Sequence, residues 1–426
     1  MQNVEQPKKS FGERFQFFLK SMGPGIITGA ADDDPSGIGT YTAAGSQFGT
    51  KFLFAALLTW PLMAATQMAC ARIGLVTGRG LASLLRIKFH RSILILICVA
   101  LFIANTFNVS ADLAAMADSA EMLTGYPSGF YILLFGVLIS WATIYLRYQS
   151  IVRVLKWLTV SLFAYMITAF MVVTDWRSVL KSTVTPHLPR NSAEWGMLVA
   201  LLGTTISPYL FFWQASQEVE EEKAHGQKTL AQRRHASATE ILMRKIDVGV
   251  GTFFSNLVMY FIILTTAAVL NAHGLTSIET SQEAARALEP IAGKLASFIY
   301  TLGVLGVGFL AIPTLTGSTA YALAETFNWK QGLDAKWNRA KTFYKVIIIS
   351  TVLAIGLDFI KMNPIKALYW SAVINGLLAP FLLLAIWLVI RDNKIMLGQP
   401  SSQWSQVILL LTTIIMFVAG VGMFVF

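Results

Sequence analysis

Three consecutive carboxylates, Asp32-Asp33-Asp34, lie inside an apolar stretch that opens at Gly23 and are followed at once by Pro35-Ser36-Gly37. A continuous helix cannot pass this point undisturbed, because Pro35 has no N–H and its ring clashes with the preceding turn. In a bilayer, backbone groups freed by such a break persist only where protein encloses them. Intramembrane carboxylates are costly and mark ion or proton sites. A carboxylate beside freed carbonyl oxygens is chemistry suited to a cation. An α-helix turns about 100° per residue, so the three acids cannot all face one site. Asp34, next to the break, is the first candidate ligand; its competing role is to cap the helix that restarts after it. Asp33 and Asp32 are candidates for a vestibule or for holding a proton.

A second interruption occurs at Leu201-Leu202-Gly203-Thr204-Thr205-Ile206-Ser207-Pro208-Tyr209. Here too a hydroxyl residue and a proline sit in the middle of an apolar span. Ser207 is a candidate pocket residue, through its hydroxyl or a bound water. The alternative is a hydroxyl bonded to its own preceding turn. Asn375, in another apolar span, is placed either against a hydrated ion or in an interhelical hydrogen bond. Asp112 is a further acid inside a span; it either belongs to a proton path or pairs with a basic residue on another helix. The run Phe211-Phe212-Trp213 reads as packing.

These residues need a membrane scaffold to hold them. The chain of 426 residues is 55% hydrophobic and 13% charged, with mean hydropathy +0.60. That is a polytopic membrane protein, not a soluble enzyme. Eleven stretches reach the length of about 20 residues that crosses a bilayer core. They lie near 23–48, 52–75, 92–122, 129–147, 157–175, 195–216, 248–272, 291–325, 343–360, 364–390 and 404–426. With the N-terminus inside, 25 of the 33 Lys and Arg residues fall on the cytoplasmic side. By the positive-inside rule the N-terminus is cytoplasmic and the C-terminus extracytoplasmic. The net charge of +10 is then topological, and nucleic acid is excluded as a partner. Lys8, Lys9, Arg14 and Lys20 precede the first span with no small-residue cleavage site, so no removable signal peptide is expected. Cys70 and Cys98 fall in apolar spans as buried thiols. The Arg72–Arg91 loop, with Leu81, Leu84, Leu85 and Ile87, is expected at the headgroup surface. The charged segment from Glu218 to Asp247 is expected as a solvated helix extension.

The two interrupted spans are the first and the sixth, each opening a set of five. Five is odd, so the sets 1–5 and 6–10 have opposite orientations. Matching breaks in two inverted halves point to a transporter with its site between the breaks, near the bilayer midplane. The whole chain is then one membrane transport domain: repeat one about 20–175, repeat two about 195–391, and an extra helix at 404–426.

At Gly23-Pro24-Gly25 through Gly49, and at Gly203 through Ser216, the chain resembles the Nramp family of divalent-metal transporters. The resemblance runs over all eleven spans. It implies an all-α, LeuT-like fold with 5+5 inverted repeats, alternating access and, from its bacterial members, an inner-membrane location. In that family an Asp-Pro-Gly-Asn motif in the first span and a Met-Pro-His motif in the sixth bind Mn²⁺ or Fe²⁺, together with backbone carbonyls. Carried over, the resemblance places metal ligation on Asp34, on the carbonyls of Ala31 and Thr204, and on Ser207.

Several positions depart from the family pattern. Ser36-Gly37 stands for Gly-Asn, so Gly37 brings space in place of an amide. Ser207-Pro208-Tyr209 stands for Met-Pro-His, so a thioether becomes a hydroxyl. Oxygen ligands suit Mg²⁺, Ca²⁺ and Mn²⁺ better than softer metals, and Mg²⁺ keeps several waters. The pattern resembles the Nramp-related magnesium transporter branch, which also accepts Mn²⁺. The family's Asp-Leu-Ala-Glu segment is Asp112-Leu113-Ala114-Ala115 here, leaving Asp112 as a remnant of a proton path. All five histidines fall in predicted loops, so weak or absent proton coupling is expected. Mg²⁺ or Mn²⁺ is thus expected as substrate, with no cofactor; the lipid bilayer is the other partner, and a monomer is compatible with the sequence. The alternatives are a proton-coupled Mn²⁺/Fe²⁺ symporter, a Na⁺-coupled transporter of an organic solute on the same scaffold, a passive channel, and an intramembrane aspartyl protease using Asp34 and Asp112.

Overall fold

The structure is a computed structural model that describes residues 23–146, 160–358 and 363–426. The basic residues before the first span and the start of the fifth predicted span lie outside these. Among the described residues all regular structure is helical. The helices are α1 (Pro24–Asp32), α2 (Pro35–Phe48), α3 (Leu53–Thr77), α4 (Leu81–Lys88), α5 (Arg91–Thr124), α6 (Ser128–Tyr145), α7 (Phe163–Val172), α8 (Trp176–Val184), α9 (Ser192–Thr205), α10 (Pro208–Ala224), α11 (Ala238–Val269), α12 (Ser281–Ala285), α13 (Glu289–Ala292), α14 (Ala296–Phe327), α15 (Lys341–Asp358), α16 (Pro364–Ile390) and α17 (Gln403–Val425). Among the described residues, eight helical runs are long and apolar enough to cross a membrane.

The two breaks have the same local form. At the first, Asp33 (φ −80°, ψ 54°) and Asp34 (φ −68°, ψ 172°) leave the helix. At the second, Ile206 (φ −117°, ψ 59°) and Ser207 (φ −78°, ψ 130°) do the same. A proline then restarts each helix at its first position, where a missing N–H costs nothing and φ is already set. Asp34 and Ser207 therefore occupy equivalent N-cap positions in α2 and α10.

Helix α1 is held against α11 by backbone proximity. A Cβ on Gly29 would stand 2.4 Å from the Gly251 carbonyl oxygen, and one on Gly251 would stand 2.4 Å from that of Gly25. Small residues permit such crossings where lipid supplies no hydrophobic drive between helices. Helix α9 meets α16 in the same way, through Gly203 against Ala372 and Gly376.

Two loop expectations are corrected. The Arg72–Arg91 segment contains α4, whose Leu81, Leu84 and Leu85 are buried in the protein. Glu325 of α14 accepts the Ser83 N–H at 3.0 Å and ties this helix down. Only Ile87 of the four apolar residues stays exposed. The Glu218–Glu222 run does extend a helix, α10, but Glu218 and Asp247 are buried with Arg244. That cluster can be part of the core because Arg244 pairs with both acids.

Candidate metal site

Asp34 lies at the centre of the first break and is 2% exposed. One carboxylate oxygen accepts the Gly37 N–H at 2.6 Å and so caps α2. The other accepts from Asn108 Nδ2 at 3.0 Å. Capping and ligation are thus compatible roles, since an ionised carboxylate has about four lone-pair sites.

Asn108 organises this side of the site. Its Nδ2 also donates to Asp112 at 3.1 Å, one turn further along α5. Its Oδ1 accepts from Asn375 Nδ2 at 2.9 Å, across from α16. Asn375 therefore makes the interhelical bond, while its own Oδ1 is buried with no hydrogen-bond partner. Asp112 accepts the Ser36 N–H at 3.2 Å. No basic side chain reaches Asp112 among the described residues; its partners are an amide and a backbone N–H. Asn108 was not among the residues singled out from the sequence. An asparagine four residues before a buried acid, inside an apolar span, is the signal that marks it.

The other two acids bond to α11 and not to the Asn108 network. Ser255 Oγ on α11 donates to Asp32 at 2.7 Å and to Asp33 at 3.2 Å. Asp32 Oδ1 is buried without a partner.

The two breaks are joined directly by Tyr209. Its hydroxyl donates to the Ala31 carbonyl at 3.1 Å. Ser207 Oγ donates to the carbonyls of Gly203 at 2.9 Å and Thr204 at 2.8 Å, so its proton is spent on its own helix. The hydroxyl keeps its lone pairs, and both carbonyls keep a second one. Gly37 brings the two breaks into close approach: a Cβ there would lie only 3.1 Å from Thr204 Oγ1 and 3.4 Å from Asp34. The donors available between the breaks are oxygens. None of the side chains bonded to Asp34, Ala31 or Ser207 carries sulfur or imidazole. Among the described residues no group of three or more His, Cys, Asp or Glu converges to hold a metal by side chains alone. A cation here would rely on one carboxylate with carbonyls, hydroxyls and water. Phe211, Phe212 and Trp213 are buried in the core.

Below the site, α1 is clamped. Asp247 on α11 accepts N–H groups of Gly23 (2.8 Å), Gly25 (2.7 Å) and Ile26 (3.2 Å). These are donors that a helix N-terminus leaves without intrahelical partners. Arg244 pairs with Asp247 at 2.6 Å and with Glu218 at 2.8 Å, and also with Glu221, so α1, α10 and α11 close on one another.

The profile of the Nramp (natural resistance-associated macrophage protein-like) family matches residues 25–426. The chain belongs to the Nramp family. It is similar to the divalent metal cation transporter MntH of Caldanaerobacter subterraneus subsp. tengcongensis, at 29% identity over 405 residues, 90% of this chain and 88% of the relative. The MntH of Clostridium acetobutylicum is 24% identical over 403 residues, 89% of this chain and 84% of the relative. Among solved structures, the Eremococcus coleocola manganese transporter superposes with TM-score 0.75 at 17% identity, over 98% of this chain and 88% of that one. The inward-facing structure of Mhp1 superposes with TM-score 0.52 at 14% identity, over 94% of this chain and 90% of that one. The fold is therefore LeuT-like, with helices broken at Asp33-Asp34 and Ile206-Ser207. Nramp membership also removes the protease alternative, and Asn108 bridges Asp34 and Asp112 where a protease would need them to share a proton.

Proposed function

We propose that this Nramp protein carries a divalent metal ion across the membrane by alternating access, with Mg²⁺ the preferred substrate and Mn²⁺ also accepted. The observation that carries the reading is the donor set between the two breaks. It offers the Asp34 carboxylate, the Ala31 and Thr204 carbonyls and the Ser207 hydroxyl, all hard oxygens, with no side chain at Gly37. Hard, incomplete oxygen shells suit a cation that keeps part of its water, as Mg²⁺ does. The similarity to divalent metal cation transporters supports the broad substrate class. Asn375 and Asn108 would meet the ion's waters; Asp33 would sit at the approach. Asp112, held by neutral donors, would act as a positioning group for Ser36 and Asn108 and not as a proton shuttle. Flux would follow the gradient and the membrane potential, which is worth about 4.6 kcal/mol per 100 mV for a divalent ion. By the charge asymmetry of its loops, the clamped end of α1 faces the cytoplasm.

The test is Mg²⁺ entry into proteoliposomes at fixed membrane potential, followed with an internal indicator and a parallel pH dye. Saturable Mg²⁺ entry without acidification, lost in Asp34→Ala, is expected. Mn²⁺ entry with acidification, in vesicles that admit no Mg²⁺, would return the protein to proton-coupled manganese transport.

A further inference from the structure

A groove opens at the end of the bundle that carries Arg72 and Lys245. It measures about 500 Å³ and lies between α3, α11 and the start of α17. One face of α3 forms its floor, with Pro61, Ala65 and Met68, and ends at Arg72. From Pro61 to Arg72 the helix rises about 16 Å. Ile408 on α17 and Val248 on α11 complete an apolar body, and the polar groups gather at one mouth.

That mouth is built for an anion. Among the described residues neither Arg72 nor Lys245 is in an ion pair: Arg72 Nε donates only to the Gln399 carbonyl, at 3.2 Å. Ser401 lines the groove and is 5% exposed, yet its Oγ has no hydrogen-bond partner. The N-terminus of α17, a helix of 23 residues, begins immediately after it, capped by Ser402. Helix N-termini present unpaired N–H groups and positive potential to anions. Trp404 stands 79% exposed at the rim, the position of an interfacial anchor.

We propose that this groove binds an anionic phospholipid, with the headgroup phosphate between Arg72, Lys245, Ser401 and the α17 N-terminus. The acyl chains then run along Ala65, Met68 and Ile408 toward the membrane interior. Charge alone would serve a free phosphate as well, but the groove is mostly apolar and extends away from the cations along the helices. A basic pocket between transmembrane helices that continues into an apolar groove has the chemistry of an anionic-lipid site. Its occupant would brace α11, the helix that clamps α1, against α3 and α17.

The experiment is native mass spectrometry of the full-length protein in detergent, titrated with phosphatidylglycerol, with phosphatidylcholine and with inorganic phosphate. Phosphatidylglycerol is expected to be retained in preference to phosphatidylcholine. Arg72→Ala with Lys245→Ala should weaken its retention about 10- to 30-fold, from roughly 1 kcal/mol per cation. Ala65→Phe keeps both cations but fills the apolar floor, and should also abolish retention. Thermal unfolding in detergent checks the variants; if the double variant does not fold, Lys245→Gln alone should weaken retention about fivefold. Equal retention of the two lipids overturns the proposal, as does no retention by the wild type. Displacement of the lipid by millimolar phosphate, together with an unaffected Ala65→Phe, would make it a small-anion site instead.

Discussion

Removal of the Asp247 carboxylate should open the clamped end of α1. Asp247 accepts three N–H groups at the α1 N-terminus and the Arg244 guanidinium. A carboxylate at a helix N-terminus contributes about 0.3–1 kcal/mol when exposed and up to ~2 kcal/mol when partly buried. Losing one partner of a buried ion pair typically costs about 3–5 kcal/mol. Arg244 keeps Glu218 and Glu221, so the upper figure does not apply here. A loss of about 2–3 kcal/mol from the clamped state remains, or roughly a 30- to 150-fold shift in its population relative to a state with α1 released. Thr28 lies in α1, is 1% exposed and bonds the Pro24 carbonyl, so it reports on this helix. The assay is maleimide labelling of Thr28→Cys with Cys70 and Cys98 replaced, in proteoliposomes. Asp247→Ala should raise the labelling rate by one to two orders of magnitude, and Asp247→Asn by less, because an amide oxygen can still accept two of the N–H bonds. Unchanged labelling in both would refute the assignment of Asp247 as the group that holds α1 closed.

Three further outcomes follow from the same geometry. Gly29→Ala should release α1 in the same labelling assay, because its Cβ would meet backbone of Gly251 at 2.4 Å and no rotamer can relieve that; Gly249→Ala, whose Cβ meets nothing within 4 Å, should leave the rate unchanged. Gly37→Asn with Ser207→Met should shift transport preference from Mg²⁺ toward Mn²⁺, read as the ratio of initial uptake rates, since an amide and a thioether enter the oxygen site; an unchanged ratio would contradict the ligand assignment. The apparent KM for Mg²⁺ should rise as pH falls, with maximal rate and internal pH unaffected, which the proteoliposome assay reads directly.

The breaks and the long apolar helices were legible because each rests on a local rule. Proline after a polar residue stops a helix, and a run of apolar residues crosses a bilayer whatever surrounds it. Asp34, Gly37 and Ser207 could be placed for the same reason, as each sits within three residues of a proline break. The partners of these residues were not legible. Asn108 lies 74 residues from Asp34 and Asn375 lies 267 from Asn108, and only the crossing of α5 and α16 beside the break brings them together. The Glu218–Asp247 segment misled because its composition is that of a solvated surface. Burial followed from pairing: Arg244 reaches three acids, and one of these also caps a helix more than two hundred residues away in sequence.

The charge balance at the site is what the proposed uncoupled transport rests on. Asp32, Asp33, Asp34 and Asp112 are all buried, at no more than 5% exposure. Among the described residues none of them is in an ion pair; their donors are Ser255, Asn108 and the N–H groups of Ser36 and Gly37, all neutral. Isolated buried carboxylates cannot all remain charged without a compensating cation or proton. In the proposed cycle a divalent ion at Asp34 would supply that compensation, and when it left, protons would take its place or water would enter. On that proposal metal and protons would compete for the same oxygens. Competition alone moves KM with pH and carries no net proton current, since a proton that binds and departs on the same side does no transport. Net coupling needs a second group that takes the displaced proton to the other side. Among the described residues Asp112 is the only further acid bonded within the Asn108 network, and Asn108, an amide that cannot accept a proton and pass it on, bridges it to Asp34. Acidification in step with Mg²⁺ entry, persisting in Asp112→Asn, would show that another route exists and would sink this account of the uncoupled cycle.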